Sequence, residues 1–450
     1  MATMADFRAF KAFRYNLDQT NLQEVIAPPY DVISPAEQER LYAKSPLNCI
    51  RLILNKGQEN DSDGANRYTR AKDFLHEWIQ KGDLIQEDTP SFYLYRQTFA
   101  DLRDGKTQTR VAVFGRLKLE PFEKGIVIAH EKTLSKPKQD RLNLLKATET
   151  NLSAVFGLYE DPEAKVRGVL ETYLKQEAAC QAVDSENVKH ELWVLHDPQT
   201  VETLTKHWAA KNVYIADGHH RYQTALDYGL ARRKAENVPE GQEMPYDFIL
   251  MALVAFEDSG ILLYPTHRMV NLKAFPELSQ NPQEALRKLE AYFDISELDT
   301  AKFVPTLENA AADKIQLGLL LGSKAWLLNL KDWRQAKPHM PAGKPDIWYQ
   351  MDVAVLSHLI LGHLWAIPET EWESVMTYTH SDPEAVEHAL KNTQTAVFLL
   401  KAPRVQILRD MGRAGELMPQ KSTYFYPKLA SGLVFHVLTE KLSKTLKFSS

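Results

Sequence analysis

The sequence predicts a mixed α/β fold made of two domains. Short apolar or β-branched segments that suit strands alternate with amphipathic segments that suit helices along the whole chain. The 450 residues are enough for about two or three domains. Near residue 271 the composition changes, and Pro276 and Pro282 stand among polar residues. We therefore predict domains at residues 1–270 and 271–450.

The first predicted elements are justified by their end signals. Residues 7–15 alternate loosely and suit a strand, and the apolar run 49–54 suits a second one. Ser34, Pro35 and Glu37 mark a helix start, since serine caps the helix and proline fits its first turn. Residues 66–81 suit an amphipathic helix that Gly82 ends. Strands at 92–99 and 110–119 flank a turn at 102–105.

The remaining elements follow from the same patterns. We predict helices ending near 149 and covering 162–176 and 198–208, with strands at 153–159, 191–195 and 248–257, after which residues 260–264 lead to the segment 265–268. Beyond 271, helix or strand patterns cover 282–292, 315–321, 325–330, 354–360, 383–390 and 396–400, and the chain closes on a helical tail.

Composition and net charge restrict the classes of partner that the protein is expected to bind. The net charge is -5 with a pI near 6.3, and no block of lysine or arginine suggests a nucleic-acid surface. Cys49 and Cys180 stand alone, which is typical of buried thiols rather than of a disulfide or metal site. The N-terminus lacks a signal-peptide pattern, and the longest apolar run, near 248–256, is too short to cross a membrane. We therefore expect a reduced, cytoplasmic protein with neither nucleic acid nor membrane as partner.

The most informative stretch is a predicted strand, turn and helix start at residues 213–226. Asp217 and Gly218 supply the turn, and His219, His220 and Arg221 fall in the first turn of the helix. The N–H groups and dipole of a helix N-terminus favour an anion, and arginine is a bidentate phosphate donor. This arrangement predicts phosphate binding, with a surface turn carrying chance histidines as the alternative. Adjacent histidines point about 100° apart on a helix, which disfavours a zinc site.

Two further polar clusters precede this stretch. Asp31 follows Pro28 and Pro29, and a proline-stiffened carboxylate suits a catalytic base or a magnesium ligand, or simply a turn. Glu131 and Arg141 belong to a segment of mixed charge that could bind a substrate's carboxylate and ammonium groups, or be a solvated loop.

Two other clusters follow it. His267 and Arg268 come after a predicted strand, where open α/β sheets place ligand-binding groups, with a structural salt bridge as the alternative. Lys421 begins a segment of hydroxyls and aromatics, 421–428, which could close over a ligand or pack as a terminal strand. The chain has no P-loop, dinucleotide-binding, HExxH or nucleophile-elbow motif.

Five ordered motifs carry a resemblance that spans nearly the whole chain. PPYDVIS, HEKT with DRLNLL, IADGHHRYQTAL, LYPTHR and MPQKSTYFYPK together resemble a widespread bacterial and archaeal family known as a domain of unknown function. The DGHHR box also resembles that of free L-serine kinase, which has the ParB/sulfiredoxin-like fold. The resemblance implies a ParB/sulfiredoxin-like core in residues 1–270, with an insertion at about 57–187, and a C-terminal α/β domain.

The same resemblance implies a function. A small-molecule kinase would hold the phosphates of ATP or ADP, bridged by Mg²⁺, on Asp217, Gly218, His219, His220 and Arg221, with His220 also taking part in catalysis. Glu24 or Asp31 would be the base, and free L-serine or a similar hydroxyl compound the acceptor. Substrate contacts would come from the residues of the remaining clusters, Glu131, Arg141, His267, Arg268 and Lys421. The alternatives are a nucleotide-gated binding protein that performs no turnover, and a phosphate site that serves a hydrolase.

Overall fold

The computed structural model describes residues 5–131, 135–299, 306–307 and 314–439, with the backbone alone for 135–137. The chain divides into two compact units. Unit 1 comprises Met1–Ala129, Thr133–Leu262 and Pro427–Ser450, and unit 2 comprises His130–Lys132 and Leu263–Tyr426. The last segment of the chain thus returns to unit 1. The sequence-based division at residue 270 into two domains stays a prediction.

Twenty-one strands are present among the described residues. They are β1 (Phe7–Arg8), β2 (Phe13–Tyr15), β3 (Leu84–Gln86), β4 (Phe92–Ala100), β5 (Thr107–Lys118), β6 (Val127–Ile128), β7 (Thr150–Asn151), β8 (Val155–Tyr159), β9 (Cys180–Val183), β10 (Lys189–Leu195), β11 (Val213–Asp217), β12 (Phe248–Ala255), β13 (Leu262–Tyr264), β14 (His267–Asn271), β15 (Phe293–Leu298), β16 (Gln316–Leu321), β17 (Lys324–Leu330), β18 (Met376–Thr379), β19 (Thr395–Leu399), β20 (Tyr424–Tyr426) and β21 (His436–Val437).

The helices alternate with these strands. They are α1 (Leu22–Val25), α2 (Pro35–Lys44), α3 (Ile50–Ile53), α4 (Arg67–Lys81), α5 (Ser135–Thr148), α6 (Lys165–Leu174), α7 (Pro198–Trp208), α8 (His219–Ala235), α9 (Pro276–Ser279), α10 (Pro282–Arg287), α11 (Trp333–Ala336), α12 (Asp346–Tyr349), α13 (Asp352–Ala354), α14 (Trp372–Val375), α15 (Asp382–Lys391) and α16 (Gln406–Arg413). The mixed α/β class is therefore confirmed.

Unit 1 is organised by a mixed sheet in the order β6-β11-β8-β12-β5-β4-β10-β9, with β1 paired to β5. Strands β10, β4, β5 and β12 form an antiparallel run, whereas β12 and β8 are parallel. The rings of Phe7, Phe92 and Trp208 meet in its core, with Trp208 edge-on to both phenylalanines. The C-terminal end of β11, the start of α8 and residues 427–439 all belong to this unit. The ParB/sulfiredoxin-like assignment of this unit stays a prediction.

The helices predicted from local start and end signals are present as α2 and α4. The Ser34 hydroxyl accepts the backbone N–H of Glu37 at the start of α2. Asn66 caps α4 by accepting the N–H groups of Tyr68 and Thr69, and Gly82 ends that helix in the left-handed region with φ 76°. These elements are confirmed as predicted.

The predicted strand at 49–54 is wrong, because this segment forms the short helix α3. The Asn48 side chain accepts the backbone N–H of Ile50 at 3.0 Å and so turns the chain into a helix. Periodicity cannot separate a buried strand from a buried helix turn in so short an apolar run. Cys49 is fully buried, as expected, whereas Cys180 is only half-buried; both are free thiols.

Unit 2 contains an antiparallel sheet in the order β15-β17-β16-β19-β14-β18. Helix α15 packs on β19 and contributes Ala385 and Ala389 to the core. Residues Val355–Leu364 form a π-helix, where a helix was one of the two possibilities at 354–360. The helical tail predicted beyond residue 439 lies outside the described residues.

A search of the described residues finds no single helix that is long and apolar enough to span a membrane. One bent pair, Asp352–Leu364 with Glu369–Val375 at 117°, meets the criteria of length and composition when both parts are taken together.

Candidate phosphate site and adjoining cleft

The predicted strand-turn-helix is present in unit 1. Strand β11 ends at Asp217, Gly218 adopts the left-handed conformation with φ 92° and ψ 27°, and α8 begins at His219. The glycine is required twice over. That φ disfavours a side chain, and a Cβ at this position would come within 2.9 Å of the Arg221 guanidinium. No side chain caps this end of α8.

Two cations converge on the Asp217 carboxylate. Lys428 donates from Nζ to Oδ1 at 3.0 Å, and Arg221 donates from Nη2 to Oδ2 at 2.8 Å. Burial by itself would raise the pKa of Asp217, but Lys428 and Arg221 outweigh it and hold that pKa well below its usual range. Asp217 is therefore a carboxylate at neutral pH, paired with two cationic side chains.

The second Nη of Arg221 donates to the backbone carbonyl of Ala154, just before β8. Arg221 is thus folded back under Gly218 and links the turn to the neighbouring strand. The sequence predicted this arginine as a phosphate donor. In the structure it also determines the shape of the turn that would receive the phosphate.

A buried arginine lies behind Lys428. Arg110, 1% exposed on β5, donates to Gln97 Oε1 at 2.5 Å and to the carbonyl of Pro427. Gln97 in turn donates to the carbonyl of Lys428 at 3.0 Å. Burial lowers the pKa of Arg110 to about 10, against the opposing charges of Tyr95, Asp258 and Asp217. These contacts fix the backbone that carries Lys428.

The two histidines of the box occupy the first turn of α8. His219 is buried, and its charge contributes to the lowered pKa of Asp217. His220 is half-buried beside it. Their roles in phosphate binding and catalysis stay predictions.

A cleft with about 470 Å³ of empty volume, part of it open to solvent, adjoins Arg221 in unit 1. Its polar lining comes from Arg141, Tyr30, Arg221, Thr224, Asn151 and Ser153. The Tyr30 ring covers the Arg141 guanidinium at 3.8 Å. Burial raises the pKa of Tyr30, and the nearby charges of Asp31, Arg141, Arg221 and Asp217 also act on it. Tyr30 is therefore near both Arg141 and the phosphate box.

Neither predicted base lines the cleft, but Asp31 is adjacent in sequence to Tyr30, which does. Asp31 is exposed in a 3₁₀ turn, Tyr30–Val32, and is close enough to influence the pKa of Tyr30. Glu24 lies in α1, and its backbone carbonyl accepts a hydrogen bond from Asn48. Glu24 is not among the residues that line the cleft.

Lys428 and Tyr30 are the functional candidates that sequence reasoning missed. Lys428 is the last residue of the MPQKSTYFYPK motif, in which Lys421 was chosen instead. Tyr30 stands beside the chosen Asp31. The only sequence signal that could have indicated these two residues was their membership of the two motifs. The contacts that distinguish them from their neighbours are long-range.

Three predicted substrate residues are explained by contacts inside unit 2. Glu131 Oε1 accepts the backbone N–H of Ser422 at 3.2 Å. Arg268, 3% exposed, donates to the carbonyls of Lys421 at 2.9 Å and Gln420 at 3.3 Å. Burial lowers the pKa of Arg268 to about 10, with Tyr378 and Glu131 opposing. Lys421 has a positive φ of 57°, and its carbonyl is the contact point.

His267 and Arg268 follow strand β13, as predicted, and themselves begin strand β14. Both ring nitrogens of His267 are engaged, Nε2 with Asp382 Oδ1 at 2.8 Å and Nδ1 with the N–H of Leu400 at 3.1 Å. This favours the structural alternative for His267. Substrate binding by Glu131, His267, Arg268 and Lys421 stays a prediction.

In the described part of the chain, no group of three or more histidine, cysteine or acidic residues could hold a metal ion. Mg²⁺ that enters with a nucleotide is coordinated mainly by phosphates and water, so the site residues are compatible with it.

Three solved structures are similar to this chain. A conserved hypothetical protein from Pyrococcus furiosus is 14% identical over 71% of this chain and 92% of its own, with a TM-score of 0.33. Free serine kinase in complex with AMP is 14% identical over 70% and 86%, with a TM-score of 0.33. C-terminally truncated SbnI from Staphylococcus aureus is 9% identical over 73% and 93%, with a TM-score of 0.35. These scores are too low to assign the fold of those proteins to this chain.

No curated protein matches the sequence significantly. A family model does match, over residues 7–354, a range that contains the PPYDVIS, HEKT, DGHHR and LYPTHR motifs. Because this range is well over half of the 450 residues, the chain belongs to the family described as "Protein of unknown function (DUF1015)".

Proposed function

We propose that the turn Asp217–Arg221 binds the phosphates of ATP or ADP and that the chain transfers one phosphoryl group to a small hydroxyl compound. The observation that carries this proposal is the convergence of Lys428 and Arg221 on Asp217 at the N-terminus of the 17-residue helix α8. The two cationic side chains, the first-turn N–H groups and the helix dipole favour the same ligand, an anion with several oxygens.

Phosphoryl transfer requires positioning and charge stabilisation more than covalent chemistry by the protein. The acceptor's hydroxyl oxygen forms the new bond to phosphorus as the bond to the departing nucleotide breaks. Lys428 and Arg221 stabilise the charge that moves onto the phosphate oxygens. Mg²⁺ bound with the nucleotide would neutralise further phosphate charge.

The hydroxyl proton needs a base, and we assign it to Asp31. This carboxylate is exposed next to Tyr30, whose ring lines the cleft beside Arg221. The acceptor would therefore lie in the cleft and the nucleotide phosphates at the α8 turn. Free L-serine, which the resemblance of the DGHHR box implies, is the first acceptor to test.

The test is an incubation with Mg²⁺, either ATP or ADP, and L-serine, with O-phosphoserine detected by mass spectrometry. We expect product from wild type and a roughly hundredfold slower reaction from Arg221→Ala, which corresponds to about 3 kcal/mol of transition-state stabilisation. Lys234→Ala, at the exposed end of the same helix, is the matched control and should retain full activity. Full turnover and nucleotide binding by a folded Arg221→Ala variant would contradict this assignment.

A further inference from the structure

We infer that the cleft beside Arg221 binds a small hydroxylated carboxylic acid, held by Arg141, Tyr30 and Thr224. This inference deepens the proposed function, on which its description of the ligand as the phosphoryl acceptor rests. The binding itself is independent of turnover. Among the described residues, neither the Tyr30 hydroxyl nor the Thr224 hydroxyl has a hydrogen-bond partner.

Thr224 supplies the first observation. It is 3% exposed, it lines the cleft, and its Oγ1 has no hydrogen-bond partner among the described residues. Thr224 follows Arg221 by three residues on α8, so both side chains lie on the same face of the helix. Buried hydroxyls in native structures are nearly always paired, and an unpaired one in the wall of a cleft indicates a ligand.

The second observation concerns Tyr30 and Arg141. The ring of Tyr30 covers the guanidinium at 3.8 Å, and its hydroxyl forms no hydrogen bond to the described part of the chain. Arg141 is 9% exposed and donates from Nε to Asp140 Oδ2 at 2.8 Å and from Nη1 to the carbonyl of Ile53 at 2.9 Å. Its Nη2 also contacts Asp140, which leaves two of its five N–H groups for a ligand.

The third observation is the charge at the Arg141 end of the cleft. Arg67 donates to Asp140 Oδ1 at 2.5 Å, so two guanidinium groups share one carboxylate. The excess positive charge attracts an anion, and a planar carboxylate matches the guanidinium fork. The Coulomb attraction between a guanidinium and a carboxylate is stronger where water is excluded, as it is around the buried Arg141.

Two further polar groups in the wall, Asn151 Oδ1 and the Ser153 hydroxyl, bond inside the protein. Asn151 Oδ1 accepts the N–H of Leu250 at 3.0 Å and bonds His436 Nδ1 at 3.1 Å. Ser153 pairs with Ser431 at 2.7 Å. Arg141, Tyr30 and Thr224 offer donors to a ligand, together with Arg221 towards the phosphate box. A ligand with a carboxylate at one end and a hydroxyl at the other satisfies them.

The experiment measures binding by isothermal titration calorimetry to the full chain without nucleotide. The probes are L-serine and D-glycerate, compared with L-serinamide and glycerol, which lack the carboxylate. We expect the acids to bind and the two compounds without a carboxylate to bind at least tenfold more weakly. Equal binding of the acids and of the compounds without a carboxylate would overturn the inference.

Thr224→Val tests the hydroxyl without changing the shape of the side chain. We expect acid binding to weaken about tenfold, the effect of losing a hydrogen bond to a charged group. The melting temperature of the ligand-free variant should be unchanged or higher, since no intramolecular bond is lost. Thr20→Val is the matched control, because Thr20 is also a buried threonine with an unpartnered Oγ1 but does not line the cleft.

Unchanged acid binding by Thr224→Val would overturn the inference. Tyr30→Phe should also weaken binding, and Arg141→Lys should weaken it most, since it keeps the charge but loses the planar fork. If acids bind as expected and no phosphorylated product forms, the proposed kinase function fails while the binding site stands.

Discussion

Lys428 Nζ lies 3.0 Å from Asp217 Oδ1, although 211 residues separate the two along the chain. The lysine is held at its backbone, since its own carbonyl accepts from Gln97 and the preceding carbonyl, of Pro427, accepts from Arg110. Three separate segments thus position one ammonium group at the start of α8. Such support for a single surface-reaching lysine is expected where its charge serves a ligand.

Lys428→Met is expected to weaken nucleotide binding by roughly tenfold to a hundredfold. The change removes the cation that contributes most to lowering the pKa of Asp217, so that pKa rises and the phosphate site loses positive charge. Isothermal titration with ATP and ADP measures the effect. Lys421→Met is the control from the same motif, because Lys421 contacts Arg268 through its carbonyl and not its ammonium group. Equal affinities of the two variants would contradict the role given to Lys428.

Gly218→Ala is expected to cost more stability than left-handed backbone strain alone. Gly241 has a similar φ of 85° with nothing near its Cβ position, so Gly241→Ala isolates the strain, at about 1–2 kcal/mol. At Gly218 the new methyl group would also displace the Arg221 guanidinium. Urea unfolding of both variants, with ATP titration, should show the larger loss and weakened binding for Gly218→Ala only. Equal losses with intact binding would show that Arg221 adapts freely.

Where the sequence predicted structure correctly, the signal was local. Ser34 and Asn66 cap their helices through side-chain bonds that span three residues or fewer. The turn at Gly218 likewise follows from residues that are adjacent in sequence. Such interactions are determined by spacing alone, so they can be inferred without knowing the rest of the fold.

Where the sequence failed, the deciding contact was long-range or the pattern was ambiguous. Lys428 was overlooked in favour of Lys421, because only the return of the C-terminal segment brings it to Asp217. His267 suited a ligand site by sequence, whereas its partners Asp382 and Leu400 come from distant segments. The Asn48 side chain decided the helix at 50–53, which an apolar run of that length could not indicate.

Arg110→Met is expected to destabilise the protein by about 2–4 kcal/mol and to weaken nucleotide binding. The carbonyl of Pro427 and Gln97 Oε1 would each lose a buried donor. Arg116 on the same strand is the control, since it is half-buried over the Phe248 ring and its Nε has no partner among the described residues. Urea unfolding should show a smaller loss for Arg116→Met, and ATP binding should be unchanged in that variant. The reverse order would show that Arg110 does not hold the Lys428 segment.

The pH dependence of stability should report on His436, which supports the cleft wall. His436, 4% exposed, pairs with Asn151 at 3.1 Å, and burial, with a smaller effect of Arg116, lowers its pKa to about 3. Above the unfolded pKa of about 6.5, the ring is neutral in both states and its full contribution is present. Below that pH the unfolded chain binds a proton that the folded chain excludes, so stability falls until the pH reaches the folded pKa.

Between pH 7 and pH 5 this effect amounts to about 2 kcal/mol, at 1.36 kcal/mol per unit. We expect wild type to lose about that much more free energy of unfolding than His436→Gln, which cannot be protonated, over the same interval. The exposed His196→Gln is the control and should follow wild type. Identical pH profiles for all three proteins would mean that His436 takes up its proton in the folded state, and that the Asn151 wall opens as it does so.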